Sequence, residues 1–135
     1  MLSQTIEYAL RASLYIARHQ PRIVSLAEVA RATHAPPRYL AKILGLLARE
    51  GFLESTRGRE GGFAIAAGRH HASLAEIVTL FEAAEPRRCL LGRGVCGQVP
   101  SCAVHEKWAP IAKATDDFFA HTTLDQLLQS TRSPN

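Results

Sequence analysis

Residues 25–63 read Ser25-Leu-Ala-Glu28-Val-Ala-Arg-Ala-Thr-His34-Ala-Pro-Pro37-Arg-Tyr-Leu40-Ala-Lys-Ile-Leu-Gly-Leu-Leu47-Ala-Arg-Glu-Gly51-Phe-Leu-Glu-Ser-Thr-Arg57-Gly-Arg-Glu-Gly-Gly-Phe63, and the changes of period within them decide the fold. Ser25 and Glu28 have the spacing of a capping box, which predicts a short helix through Ala32. His34-Ala35-Pro36-Pro37 makes a turn, with proline suited to a first helical position. A third helix then runs to about Glu50, with Leu40, Ile43, Leu44 and Leu47 on one apolar face and Gly51 as a left-handed cap. Beyond it the period drops to two. Phe52–Ser55 and Phe63–Ala66 pair as strands around a glycine-rich turn that carries Arg57 and Arg59 at its tip.

Working outward, Ser3 caps a helix over about 3–19 whose apolar residues are Ile6, Ala9, Leu10, Leu14, Ile16 and Ala17, and Gln20-Pro21 ends it. Helix, short helix, tight turn, helix and hairpin make a mainly α winged helix-turn-helix: three helices plus a two-stranded wing. Toward the C-terminus, Ser73 and Glu76 form a second capping box, opening a helix to about Glu85. Residues 87–101 read as a loop, Cys102–Ala120 as a long helix, and Thr123 with Gln126 as the box of a last short helix before a fraying tail. The expected division is 1–68, a DNA-binding winged helix-turn-helix; 69–86, a connecting helix; 87–102, a cysteine loop; and 103–135, a dimerisation helix with the C-terminal helix.

A chain of 135 residues, 47% apolar and 21% charged, has the size and composition of one globular domain. No apolar run approaches a membrane span. The N-terminus has no basic start and no small-residue cleavage site, so it reads as a folded helix and the expected compartment is the cytoplasm. The formal charge of +4 resides entirely in residues 31–69, where Arg31, Arg38, Lys42, Arg49, Arg57, Arg59 and Arg69 face Glu50, Glu54 and Glu60. Such concentration is the electrostatic footprint expected for phosphate. A third helix in the major groove would present Arg38, Tyr39 and Lys42, and the wing would offer Arg57 and Arg59 to the minor groove or backbone. Small helical trios with a hairpin also serve as protein–protein modules, so a winged-helix interaction module that never touches DNA stands as the alternative. No nucleophile–base pair, phosphate loop or dinucleotide fingerprint is present, so an enzyme is not expected.

Cys89, Cys96 and Cys102 lie within fourteen residues, separated by gaps of six and five. An odd cysteine number without a secretion signal argues against a disulfide framework. Soft thiolates suit zinc, copper(I) and iron–sulfur clusters, and these gaps exceed the two to four residues of zinc knuckles. A four-ligand site needs one non-thiolate donor, for which His105 is the local candidate. A thiol–disulfide switch or another metal is the rival chemistry. Val104, Trp108, Ile111, Thr115, Phe118 and Phe119 form an apolar stripe on the long helix that could seek a partner helix.

Together these motifs resemble the Rrf-type winged-helix transcription regulators, in the iron–sulfur branch typified by IscR and NsrR. The resemblance spans nearly the whole chain. It rests on Glu7-Tyr8-Ala9-Leu10-Arg11, Arg38-Tyr39-Leu40, Gly51-Phe52-Leu53, the wing from Arg57 to Phe63, the three-cysteine loop, and Cys102-Ala103-Val104-His105-Glu106-Lys107-Trp108. It implies a homodimeric repressor of promoter DNA that crosses its long helices and senses redox state, nitric oxide or iron–sulfur supply. The implied cofactor is an iron–sulfur cluster, 2Fe–2S first and 4Fe–4S second, on Cys89, Cys96, Cys102 and His105, with the cluster-assembly machinery as a further partner. Glu7 of the other subunit is the rival fourth ligand, by similarity to the NsrR-like members.

Overall fold

Three serines open helices in the same way. Ser3, Ser25 and Ser73 Oγ accept from the backbone N–H of Ile6 (3.3 Å), Glu28 (3.2 Å) and Glu76 (3.3 Å), filling donors that a first helical turn leaves empty. The computed structural model describes residues 2–82, 89–92, 94–98 and 102–130. The elements are α1 (Gln4–Arg18), α2 (Leu26–Thr33), α3 (Pro37–Arg49), β1 (Leu53–Thr56), β2 (Gly62–Ile65), a 3₁₀ turn (Arg69–His71), α4 (Leu74–Phe81), α5 (His105–His121) and α6 (Leu124–Ser130). Pro37 is the first residue of α3, and His34 takes the left-handed conformation (φ 55°) that ends α2.

The core is the meeting of α1, α2, α3 and the wing. Ala9, Ile16, Val24, Val29, Leu40, Leu44 and Leu47 are completely buried there. β1 and β2 pair antiparallel with Leu53 opposite Ile65 and Thr56 opposite Gly62. The segment before α2 adds a third rung, because Val24 and Phe63 exchange both backbone hydrogen bonds (2.9 and 2.8 Å). This approach requires Gly62: a Cβ there would stand 2.2 Å from the Val24 carbonyl oxygen.

Several boundaries differ from expectation. α4 ends at Phe81, and α5 starts at His105 instead of Cys102. Residues 83–88, 93, 99–101 and 131–135, which include the expected end of α4, parts of the loop and the tail, lie outside the described residues. The capping box at Ser25 is half formed. Glu28 does not reach back to the cap; its carboxylate accepts from Arg22 at 2.8 and 2.7 Å and from the Tyr15 hydroxyl at 2.6 Å. A forked guanidinium is a stronger partner than one backbone amide. These bonds, Arg22's first and Tyr15's second, hold the Glu28 carboxyl down at about 2. The boxes at Ser73 and Thr123 close in both directions.

α6 returns to the winged domain. Leu124 is completely buried in the common core, Ser73 and Thr123 form a β-bridge, and the Leu74 N–H donates to the Thr122 carbonyl at 2.8 Å. The start of α4 and the end of α5 therefore meet at one point beside the winged domain, whose core α4 joins through Leu74 and Ile77. Among the described residues, no helix is long and apolar enough to cross a membrane.

Candidate nucleic-acid interface and cysteine–histidine site

α3 buries Leu40, Ile43, Leu44 and Leu47, which turns Arg38, Lys42 and Arg49 outward. Arg57 and Arg59 are exposed at the turn between β1 and β2. Among the described residues, Arg38, Lys42, Arg57 and Arg59 make no salt bridge, so their donors stay available to an anionic partner. Tyr39 departs from the sequence reading. It is half-buried, its hydroxyl is hydrogen-bonded to the Thr5 hydroxyl, and its ring meets Tyr8 edge-on at 5.8 Å. It packs α3 against α1 instead of projecting with Arg38 and Lys42. Arg11 extends this brace: its guanidinium lies 5.7 Å from the centre of the Tyr8 ring and donates to the Thr33 carbonyl at 3.4 Å. The helix that would enter a groove is thus fixed from behind by aromatic and cationic contacts that spacing alone does not reveal.

The second site lies where the cysteine loop meets the start of α5. Cys89, Cys96, Cys102 and His105 converge on a small pocket also lined by Leu90, Val95, Gly97, Val104 and Trp108. They meet as two pairs. Cys89 Sγ lies 3.4 Å from Cys102 Sγ, and Cys96 Sγ lies 3.5 Å from His105 Nδ1. None is in a disulfide; Cys89 is buried, and the other two sulfurs are partly exposed. The loop is tightened locally, with the Cys89 N–H donating to the Gly94 carbonyl at 2.6 Å and the Gly92 N–H to the Cys89 carbonyl at 2.8 Å. Gly97 takes φ +88°, and its α-carbon edge faces the His105 ring, so backbone approaches the imidazole where a side chain would be strained. Among the described residues, no three His, Cys, Asp or Glu side chains surround one point closely enough for a single metal ion. Glu7 stands on α1, exposed, 3.9 Å from its own Arg11.

The structure divides the expected stripe of α5. Val104 and Trp108 line the cysteine pocket, and Phe119 packs against the chain's own core. Thr115 is exposed, as are Ile111 and Phe118, which are 57% and 50% accessible although apolar. Elsewhere, His71 Nδ1 lies 2.8 Å from Asp125 Oδ2, linking the 3₁₀ turn to α6.

A braced helix with free cations on its outer face, beside an arginine-tipped hairpin, defines a winged-helix DNA-binding regulator. The family described as Rrf2, iron-dependent transcriptional regulator, matches residues 2–130. The chain belongs to the Rrf2 family of transcription regulators. It is 33% identical over 131 residues to an Aquifex aeolicus (strain VF5) protein assigned as an HTH-type transcriptional regulator, covering 95% of this chain and 91% of that one. It is 27% identical to the HTH-type transcriptional regulator IscR of Vibrio campbellii, covering 90% of this chain and 73% of that one. Among solved structures, CymR, the global cysteine regulator of B. subtilis, superposes with a TM-score of 0.77 at 20% identity, covering 97% and 98% of the two chains. T. potens IscR superposes with a TM-score of 0.72 at 18% identity, covering 100% and 93%. These relatives are transcription regulators rather than enzymes, and the superpositions establish the winged-helix fold.

Proposed function

We propose that this chain is a cytoplasmic, homodimeric repressor whose affinity for promoter DNA is set by an iron–sulfur cluster on Cys89, Cys96, Cys102 and His105. One observation carries the reading: three sulfurs and an imidazole, separated by up to fifteen residues of chain, face one pocket in two contacting pairs. A tetrahedral zinc draws four donors to within about 2.3 Å of one centre. Two separate pairs suit a 2Fe–2S core better, with two protein ligands to each iron; a 4Fe–4S cluster is the second choice. Likeness to IscR supports the same donor set. Likeness to CymR favours, as a second reading, a regulator that senses through its thiols without a cluster.

A bound cluster would supply a bond network sensitive to oxidants, nitric oxide and iron supply. The chain's own residues couple that network to DNA. Cys89 follows the end of α4 by eight residues, whereas Cys102 precedes α5 and His105 is its first residue. Holding these together fixes α5 relative to the winged domain. Ile111, Thr115 and Phe118 offer the outward face of α5 to a second copy, so the pose of α5 would govern the spacing of two α3 helices on consecutive half-sites. Arg38 and Lys42 would read base edges, and Arg57 and Arg59 would hold phosphate or the minor groove. Coupling of this kind is worth ~1–3 kcal/mol. The cluster-assembly machinery would load the site.

Anaerobic isolation with iron and sulfide counting tests the reading. The expected product is coloured, and its visible absorbance disappears in the Cys102→Ser variant. His105→Ala should destabilise the chromophore; an unchanged spectrum would transfer the fourth position to Glu7 of the other subunit. A colourless protein free of iron and sulfide, whose promoter gel shift ignores all three cysteines, would refute the proposal.

A further inference from the structure

Two of the three thiols already touch. Cys89 and Cys102 sulfurs are 3.4 Å apart across a thirteen-residue separation, whereas the Cys96 sulfur faces the His105 ring. We infer that, without a cluster, Cys89 and Cys102 form an intramolecular disulfide that leaves Cys96 as a thiol, so that oxidation and cluster loading are mutually exclusive states of one pocket. The exclusion rests on the function proposed above; the pairing rests on the sulfur contact alone.

Closing the bond brings the sulfurs from 3.4 Å to about 2.0 Å. The loop is built to allow this, because Gly92 and Gly94, both at positive φ, shape the turn that follows Cys89, and Cys102 precedes α5 without being part of it. Exposure sets the order of events. Within the touching pair Cys89 is 6% exposed and Cys102 is half-buried, so an oxidant arriving from solvent meets Cys102 before Cys89. With hydrogen peroxide, the Cys102 sulfur attacks one peroxide oxygen. The O–O bond breaks, leaving a sulfenic acid on Cys102 and releasing one water. The Cys89 sulfur then displaces the sulfenic hydroxyl, which leaves as a second water with the Cys89 proton. Two thiols lose two electrons and two protons, and one peroxide becomes two waters. A dithiol reductant reverses the bond by exchange. In the oxidised chain, one sulfur pair is no longer available as ligands, and only Cys96 and His105 stay ready.

The test uses the full-length chain freed of metal by chelation under reducing conditions, desalted anaerobically and given one equivalent of hydrogen peroxide. Titratable thiols should fall from three to one, and peptide mapping should find Cys89 joined to Cys102 within one chain. Cys96→Ser should still lose both remaining thiols. Cys89→Ser should stop at a sulfenic acid on Cys102, trapped by dimedone. Reconstitution with ferrous iron and sulfide should fail on the oxidised protein and recover after dithiothreitol. A bond that includes Cys96, a bond between chains, or three thiols surviving the peroxide would each overturn the inference. Anaerobic protein that lacks a cluster yet forms this disulfide would sink the proposed function and leave the pairing intact. Protein that carries a cluster but forms no such disulfide would do the reverse.

Discussion

From Ala9 to Ile65 each element contributes at least one residue to a continuous buried core, whereas from Cys89 to His121 only Cys89 and Ala112 are buried among the described residues. The first region is held by the transfer of apolar side chains out of water, worth roughly 1.5–3 kcal/mol for each large one. The second has almost no core of its own. Its local order comes from paired sulfurs, an imidazole, a few loop hydrogen bonds and the packing of α5 on α4. A region organised that way would respond to chemistry at its sulfurs and, under the proposed function, to a second copy against Ile111 and Phe118. The region that would meet DNA is insulated from such changes by its own packing.

The sharpest way to break this contrast is to compare a core truncation with one on α5. Leu44→Ala should cost about 2–5 kcal/mol, read by urea unfolding. Ile111→Ala should leave the unfolding of dilute protein within about 0.5 kcal/mol while lowering the dimer fraction in sedimentation. Equal losses in the two variants would show that the regions share one cooperative core.

A smaller effect is expected at the wing. Gly62→Ala should destabilise by about 1–3 kcal/mol, because the new methyl must displace the Val24 carbonyl. Lys42→Ala should leave stability unchanged and weaken promoter binding by about 1–3 kcal/mol. If the lysine contacts phosphate, the gel shift will weaken alike on all sequences and the salt slope will fall by about one. An unaltered gel shift would remove α3 from the interface.

The smallest effect concerns pH. The Glu28 carboxyl, ordinarily near 4.5, is held at about 2. A depressed carboxyl contributes stability that is fully present above its unfolded value and is lost as pH falls through its folded one. Wild type should therefore lose stability between about 4.5 and 2 in part through Glu28. Glu28→Gln should flatten that stretch of the unfolding-versus-pH curve, and an identical slope would show that the Arg22 and Tyr15 bonds contribute nothing.

Much of the winged domain was legible because its signals are local. Ser3, Ser25 and Ser73 cap helices by their own spacing, Pro37 opens α3, Gly51 follows it with φ +77°, and the strands lie within a residue of their expected places. That the three cysteines and His105 belong together was legible too, since three cysteines fall close in the chain and the structure brings all four side chains to one pocket. Long-range partners were not. Nothing in the order Cys89, Cys96, Cys102 says that the outer two touch. No local rule sends Glu28 to Arg22 and Tyr15 in place of its own cap, gives Tyr39 a partner in Thr5, or divides the stripe of α5 among the pocket, the core and solvent. The return of α6 to the core was hidden as well. Its capping box announces a helix, but what covers Leu124 depends on the whole path between.

That return has a mechanical consequence. α5 spans seventeen residues, a rod of about 25 Å. Its C-terminal end is stitched to the winged domain by the Thr122–Leu74 bond and the Thr123–Ser73 bridge. Its far end carries His105 and adjoins Cys102. A beam anchored at one end and gripped at the other converts a small change of grip into travel: a tilt of about 10° about the anchor carries the tip roughly 4 Å. Sulfur chemistry at the tip would thus act with leverage, and a displacement no longer than a few bonds would reach whatever rests along the shaft.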